Sequence, residues 1–194
     1  MKPKDDKKIE QIFKAMLQLV KEKGIAGITM GEIAKAANIA TGTLYIYFSS
    51  KEALINELFT RCRKNAIDIY FTDFNESMPF KEGFKVVWNN LLRFRIEHFE
   101  EAVFMDQCHH SPFITESTKE LANKMIQPLF KLVERGKQEK ILKETESFIQ
   151  LTYIVGSINQ FARHCIYNDK EITSELRDQL FNLCWDGLKI VVSY

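Results

Sequence analysis

Two short helical runs lie back to back between Thr29 and Glu52, separated by a tight turn. Thr29 stands three residues before Glu32, the spacing at which a hydroxyl and a carboxylate cap a helix start reciprocally. Ile33, Ala34 and Ala37 form a narrow face of small apolar residues suited to close packing against another helix. Asn38 sits where the first helix must stop, and asparagine tolerates the left-handed backbone such a stop needs. Thr41-Gly42-Thr43 then reopens a helix with small side chains, so that its N-terminal end can approach another surface. The layout predicts a helix-turn-helix, a unit whose second helix enters the DNA major groove.

The run Gly42-Thr43-Leu44-Tyr45-Ile46-Tyr47-Phe48-Ser49-Ser50-Lys51-Glu52-Ala53-Leu54 narrows the reading further. It resembles the signature of the TetR family of bacterial one-component transcriptional regulators. That pattern runs Gly-Thr-Leu-Tyr-x-(Tyr or His)-Phe, a small polar pair, then Lys-Glu-x-Leu. The resemblance covers about a third of the chain. Two positions depart from it: Asn38 stands where the turn usually has Gly, and Ala40 where a Ser-like cap usually opens the recognition helix. The capping role then falls to Thr41 or is lost.

The resemblance implies an all-α fold of about nine helices. A helix-turn-helix head (residues 1–50) would be joined by a long helix to an effector-binding and dimerisation bundle (residues 51–194). It implies that Thr29, Tyr47 and Lys51 touch the DNA backbone, while Thr41, Gly42, Thr43 and Tyr45 face the groove. It also implies a homodimer on a near-palindromic double-stranded operator, and a repressor released by a small-molecule effector that moves the long helix.

Physical chemistry limits how such a head reads DNA. Helix N-termini at Thr29 and Lys51 present unpaired N–H groups to a phosphate, and tyrosine hydroxyls at Tyr45 and Tyr47 can reach phosphate oxygens. The run from Thr41 to Phe48 carries no Arg, Lys, Asn or Gln, the side chains that pair bidentately with guanine or adenine. Specificity then rests on Thr hydroxyls and methyls, on Tyr45 and on DNA shape.

Charge supports the division into head and body. Residues 1–65 hold 12 Lys and Arg against 7 Asp and Glu, a balance of +5; residues 66–194 hold 15 against 19, a balance of −4. A basic head suits phosphates. No apolar stretch is long enough to span a membrane, and the charged Met1–Lys8 segment leads into an amphipathic helix rather than a signal core, so the expected location is the cytoplasm. Cys62, Cys108, Cys165 and Cys184 form no Cys-x-x-Cys pair and read as buried reduced thiols. Cys62, between Arg61 and Arg63, is the candidate for a redox-sensitive one.

Apolar spacing and breakers place the helices. The first runs from about Ile9 to a stop at Gly24, followed by 30–37, 42–48, 50–70 and 79–99. A shorter one covers 102–109. A long one spans 115–135, where Pro128 must kink or divide it and Gly136 closes it. After a loop over 137–145, the last two cover 146–167 and 173–192.

Twelve of the 15 phenylalanines and both tryptophans lie beyond residue 65, so the body is either a packed aromatic core or the lining of a pocket. Phe84, Trp88 and Leu91 share one helix face, Phe104 and Cys108 another, with Met125, Tyr153, Ser157 and Gln160 adding apolar and polar groups. Together they are the candidate effector site, suited to a flat apolar, cationic-lipophilic or fatty-acyl ligand. Apolar stripes on the last two helices point to a self-complementary four-helix seam through Ile158, Phe161, Leu180, Cys184, Trp185 and Leu188.

No cofactor and no metal are expected. Cys108, His109 and His110 are adjacent on a helix and diverge, and His98 with Glu101 makes only two ligands. A di-iron bundle enzyme needs two Glu-x-x-His pairs; the chain has none, and no nucleophile motif or phosphate loop. The remaining rival is a helical interaction or adaptor protein whose head no longer binds DNA.

Overall fold

The computed structural model describes residues 6–109 and 111–191. Among them are ten helices and no strand beyond an isolated antiparallel bridge between Leu142 and Lys189. The helices are α1 (Asp6–Lys23), α2 (Met30–Ala36), α3 (Thr41–Tyr47), α4 (Lys51–Tyr70), α5 (Phe80–Glu97), α6 (Phe99–His109), α7 (Glu116–Met125), α8 (Gln127–Gln138), α9 (Ser147–Tyr167) and α10 (Ser174–Leu188). The charged Met1–Asp5 stretch, His110 and residues 192–194 lie outside the described residues.

The tenth helix comes from Pro128. Proline has no N–H to donate, so it cannot continue a helix but can begin one. The predicted 115–135 helix accordingly divides at Ile126, and Pro128 lies in the first turn of α8. Gly136 does not end that helix, as its position suggested; it is buried inside it. A Cβ there would collide with the Phe80 ring and with Leu142, so the residue is held to Gly by close approach. The last helix is shorter than its apolar pattern implied. It stops at Leu188, and the chain runs on extended, Ile190 donating to the Ile141 carbonyl at 2.9 Å.

Packing divides the chain into two compact units, one drawn from Met1–Asn65 with His98–Asn123 and the other from Ala66–Glu97 with Lys124–Tyr194. The division by packing falls inside α4 rather than at residue 50, and it places α6 and α7 with the helix-turn-helix. In this first unit α1 packs on α6 and on α2. Ile12, Met16 and Val20 of α1 are fully buried, as are Ile33, Leu44, Leu54 and Phe104 of the same unit. Phe13 and Phe48 meet with ring centroids 5.7 Å apart. Each such side chain contributes about 1.5–3 kcal/mol when taken out of water, which is how two helices of only seven residues, α2 and α3, hold a fixed arrangement.

In the second unit α9 packs against α5, α8 and α10. Ile154, Ile158, Ala162 and Cys165 form its inward stripe. Opposite them, Phe80, Phe84, Trp88, Phe181 and Trp185 form one aromatic cluster, with Trp88 edge-on to Phe181 at 5.4 Å and Phe181 stacked on Trp185 at 6.3 Å. Arg135 ties α8 to the loop before α5 by donating to the Met78 carbonyl at 2.7 Å.

Candidate nucleic-acid interface

The helix pair is set by its caps. Thr29 accepts from the Glu32 amide at 3.3 Å while the Glu32 carboxylate accepts from the Thr29 amide at 2.9 Å, so the capping box is complete. Lys23 pairs with Glu32 at 2.9 Å. That hydrogen bond, followed by those from Thr29, holds the Glu32 carboxyl down at about 2. At the far end of α2, Asn38 is left-handed at φ 55, the Ile39 amide bonds to Ala34 and the Asn38 amide to Lys35. This is the Schellman arrangement, and it aims the chain into α3. Ala40 gives α3 no side-chain cap, and Thr41 does not take over, so the first amides of α3 are left open.

On α3 only Leu44 is buried. Thr41 and Gly42 are exposed, Thr43 is half-buried, and Tyr45 is 52% exposed. Beside them Ile46 is 78% exposed, the most exposed large apolar side chain of the described residues. Sequence reasoning passed over Ile46 because it fills the variable position of the motif; its lack of a three- or four-spaced apolar partner was the available signal. Tyr47 is half-buried. The exposed edge of α3 thus offers hydroxyls, a phenol and a branched apolar side chain, with no charge.

Lys51, in the first turn of α4, directs its ammonium inward. It donates to the Ala26 carbonyl at 3.1 Å and lies 4.7 Å from the centre of the Phe113 ring. Burial lowers its pKa from the usual lysine range. Before it could bind a phosphate as a free point charge it would have to share or leave these contacts.

Of the nine residues expected to line an effector site, Phe104 and Cys108 are buried in the first unit; the other seven belong to the second. Phe84 and Trp88 are spent in the aromatic cluster, and Leu91 is buried near them. Met125 and Ser157 are half-buried, the Ser157 hydroxyl donating to its own helix at Ile154. Tyr153 and Gln160 are exposed, away from the aromatic cluster. Tyr153 lies across Gly187, on the wall of a surface cavity of about 300 Å³ shared with Lys143, Ile149 and Gln150.

The seam residues need a similar correction. Ile158, Cys184, Trp185 and Leu188 are core side chains of their own unit; Phe161 and Leu180 are half-buried. These stripes face inward because α9 and α10 must first cover α5 and α8. The large apolar side chains that the two helices show to solvent are Phe148 (59% exposed), Ile149, Tyr153, Tyr167 and Leu183 (70% exposed). Arg163 and His164 are exposed further along α9.

Burial pushes the Cys108 thiol up to about 12 and the Cys184 thiol to about 11. Cys62 moves the same way, first through burial and then through nearby Glu101, which outweighs Arg61. A thiol held neutral is a poor nucleophile, which counts against the redox reading of Cys62. His98 does meet Glu101 at 3.0 Å, and Asn65 donates to both oxygens of that carboxylate. Among the described residues no cluster of three or more His, Cys, Asp or Glu is arranged to hold a metal, and His110 lies outside them.

Two short helices, the first capped and the second open and exposed, joined by a tight turn on an otherwise helical chain, define the class of helix-turn-helix proteins. Comparison with known proteins fixes the family. Residues 12–58 match the tetR family of bacterial regulatory proteins, and residues 59–190 match the tetracyclin repressor-like C-terminal domain. The chain belongs to the TetR family of transcriptional regulators.

An HTH-type transcriptional regulator of Haemophilus influenzae is 31% identical over 114 residues, 59% of this chain and 61% of that protein. The Bacillus subtilis regulator YhgD is 25% identical over 178 residues, covering 89% of this chain and 92% of its own. The crystal structure of a TetR family transcription regulator from Marinobacter aquaeolei superposes with a TM-score of 0.88 at 27% identity, covering 97% of this chain and 99% of that one. The Bacillus subtilis regulator FadR, solved in complex with stearoyl-CoA, shares the fold at a TM-score of 0.71 and 21% identity, covering 92% of this chain and 98% of that one.

Proposed function

We propose that the chain acts as a homodimeric regulator that binds a near-palindromic DNA operator through α3 and is released from it by a small-molecule effector. The observation that carries this reading is the exposed, uncharged edge of α3, held by the capping box before it and the Asn38 turn. Thr41, Gly42, Thr43, Tyr45 and Ile46 face the bases. The open amides at the start of α3 and the Thr29 end of α2 meet phosphates, with Tyr47 and Lys51 beside them.

Dimerisation uses the outward apolar residues of α9 and α10, Phe148, Ile149, Tyr153 and Leu183, rather than the core stripes. Two heads on one operator then read half-sites about one helical turn, or a multiple of it, apart. The expected effector is apolar or aromatic, and its coupling to DNA affinity is about 1–3 kcal/mol, the usual range for allosteric sites. A protein acting directly on DNA works in the cytoplasm of a bacterium, and no helix among the described residues is long and apolar enough to cross a membrane.

The test is the affinity of the purified protein for its own upstream intergenic DNA at two salt concentrations. Sequence-selective binding that weakens steeply with salt supports the reading. Weak binding, equal on unrelated DNA, would favour the adaptor alternative, which the inward-turned Lys51 and the uncapped α3 otherwise leave as the second reading.

A further inference from the structure

A second cavity, of about 590 Å³, opens in the second unit between the C-terminal half of α5, the end of α9 and the start of α10. Its volume is that of a small-molecule site. Arg93, Lys170 and Arg177 line it, against one carboxylate, Glu97. None of the three cations has an ion-pair or hydrogen-bond partner among the described residues. Elsewhere in the unit Lys85, Arg135, Lys137 and Lys189 are each paired with an acid.

The positions of these cations are built into the fold. Arg93 lies half-buried on α5, one turn past Asn89 and one turn before Glu97. Lys170 follows a Schellman turn: Asp169 is left-handed at φ 49, and the Lys170 amide bonds back to the Cys165 carbonyl at 2.8 Å. Arg177 lies in the first turns of α10, whose start is capped by Thr173. The amide end of α10 adds its partial positive charge, while the carboxyl ends of α5 and α9 and Glu97 oppose it, so the balance rests on the three side chains. Between them Ile96, Ile166 and Ile172 supply apolar wall. Asn89 also lines the cavity, and its side-chain oxygen is buried with no hydrogen-bond donor.

From this arrangement we infer that the cavity binds an organic anion, a phosphate or carboxylate carried on an apolar body. Guanidinium groups fork onto such oxyanions, and a part-buried Arg93 gains more from the pairing than a fully solvated cation does. The inference deepens the effector reading and rests on it only for the regulatory consequence; binding itself does not depend on DNA.

Calorimetry on the full chain tests it, with decyl phosphate and decanoate below their micelle thresholds and decanol as the neutral control. The expected result is one site per chain for either anion, at least tenfold tighter than decanol. The double variant Arg93→Gln with Arg177→Gln should bind the anions at least tenfold more weakly and decanol unchanged. A preference between the two anions identifies the head group. Equal binding of decanol and the anions, or equal binding by the variant, overturns the site. Because the altered side chains hold nothing in place, the variant should keep its helical circular dichroism; should it not, Lys170→Gln, on an exposed turn, makes the same comparison. Adding decyl phosphate to the protein–DNA complex separates the two ideas. Binding without DNA release refutes the effector role and leaves the site. DNA release that persists in the double variant refutes the site and leaves the effector role.

Discussion

Two groups of exposed apolar side chains differ in what surrounds them. On α3, Tyr45 and Ile46 stand among Thr41, Gly42 and Thr43, beside open backbone amides. On α9 and α10, Ile149 and Tyr153 lie one turn apart, the Tyr153 hydroxyl reaches the Leu183 carbonyl at 3.5 Å, and Phe148 is exposed next to Ile149 in the chain. A base edge in the major groove offers hydrogen-bonding groups and, at thymine, one methyl, so an isolated apolar side chain among hydroxyls fits it. A second protein surface offers continuous apolar area, so clustering fits that. The same residue types thus suit different partners through their neighbours.

The largest effect should come from breaking the clustered face. Leu183→Glu leaves the core intact, because the side chain is already mostly in water. In a two-fold interface it places the new charge twice. A buried unpaired charge costs several kcal/mol, so the dimer should weaken by on the order of a hundredfold or more. Size-exclusion chromatography with light scattering at micromolar protein should show a monomer, and operator affinity should fall with it. A variant that remains dimeric would move the seam elsewhere.

The isolated face should respond less and more selectively. If Ile46 meets a thymine methyl, as the proposed reading has it, Ile46→Ala should cost about 1–2 kcal/mol, a factor of roughly 5–30 in affinity. The loss should shrink when the contacted thymine is replaced by uracil. A loss that is equal on every sequence would assign Ile46 to nonspecific contact instead.

These two faces also show what could be read from residues alone. Near the turn each side chain acts on its own neighbours, so the Thr29–Glu32 box and the left-handed Asn38 followed from spacing. In the body the helix positions were legible but the faces were not. An apolar stripe such as Ile158, Cys184 and Leu188 looks the same whether it covers its own core or a partner's. Only the packing of α9 on α5 and α8 shows that the core claims it. Gly136 was misread as a helix end for a similar reason, since its close approach to Phe80 is a long-range contact. The cationic cavity went unread because Arg93, Lys170 and Arg177 come together only through the turn at Asp169.

Smaller still is the effect of restoring the missing cap. Ala40 already has the extended backbone of an N-cap, at φ −66 and ψ 143, so serine fits without strain. Ala40→Ser should stabilise the protein by about 1 kcal/mol in urea unfolding. Its effect on DNA distinguishes two uses of the open amides. If they hold a phosphate, the new hydroxyl occupies them and affinity drops even as stability rises; if they face only water, affinity is unchanged.

The smallest expected effect is on pH, and it isolates the cap that is present. Glu32 has its carboxyl held at about 2, below its ordinary value of 4.5, chiefly by Lys23 and then by Thr29. A carboxyl depressed on folding stabilises the native state above its unfolded pKa, and that contribution is lost as pH falls towards the folded value. The contribution is therefore whole at pH 6 and declines between about pH 5 and pH 2. Solvent screens the pair, because Lys23 and Glu32 both reach water, so the loss should be modest and should shrink further in high salt. Glu32→Gln keeps a side chain able to cap the Thr29 amide but cannot ionise. The difference in urea midpoint between the protein and this variant should thus be largest near pH 6 and narrow steadily as pH falls from 5 towards 2. A difference that stays constant across that range would mean that the carboxylate's charge contributes nothing, and that the cap on α2 works by hydrogen bonding alone.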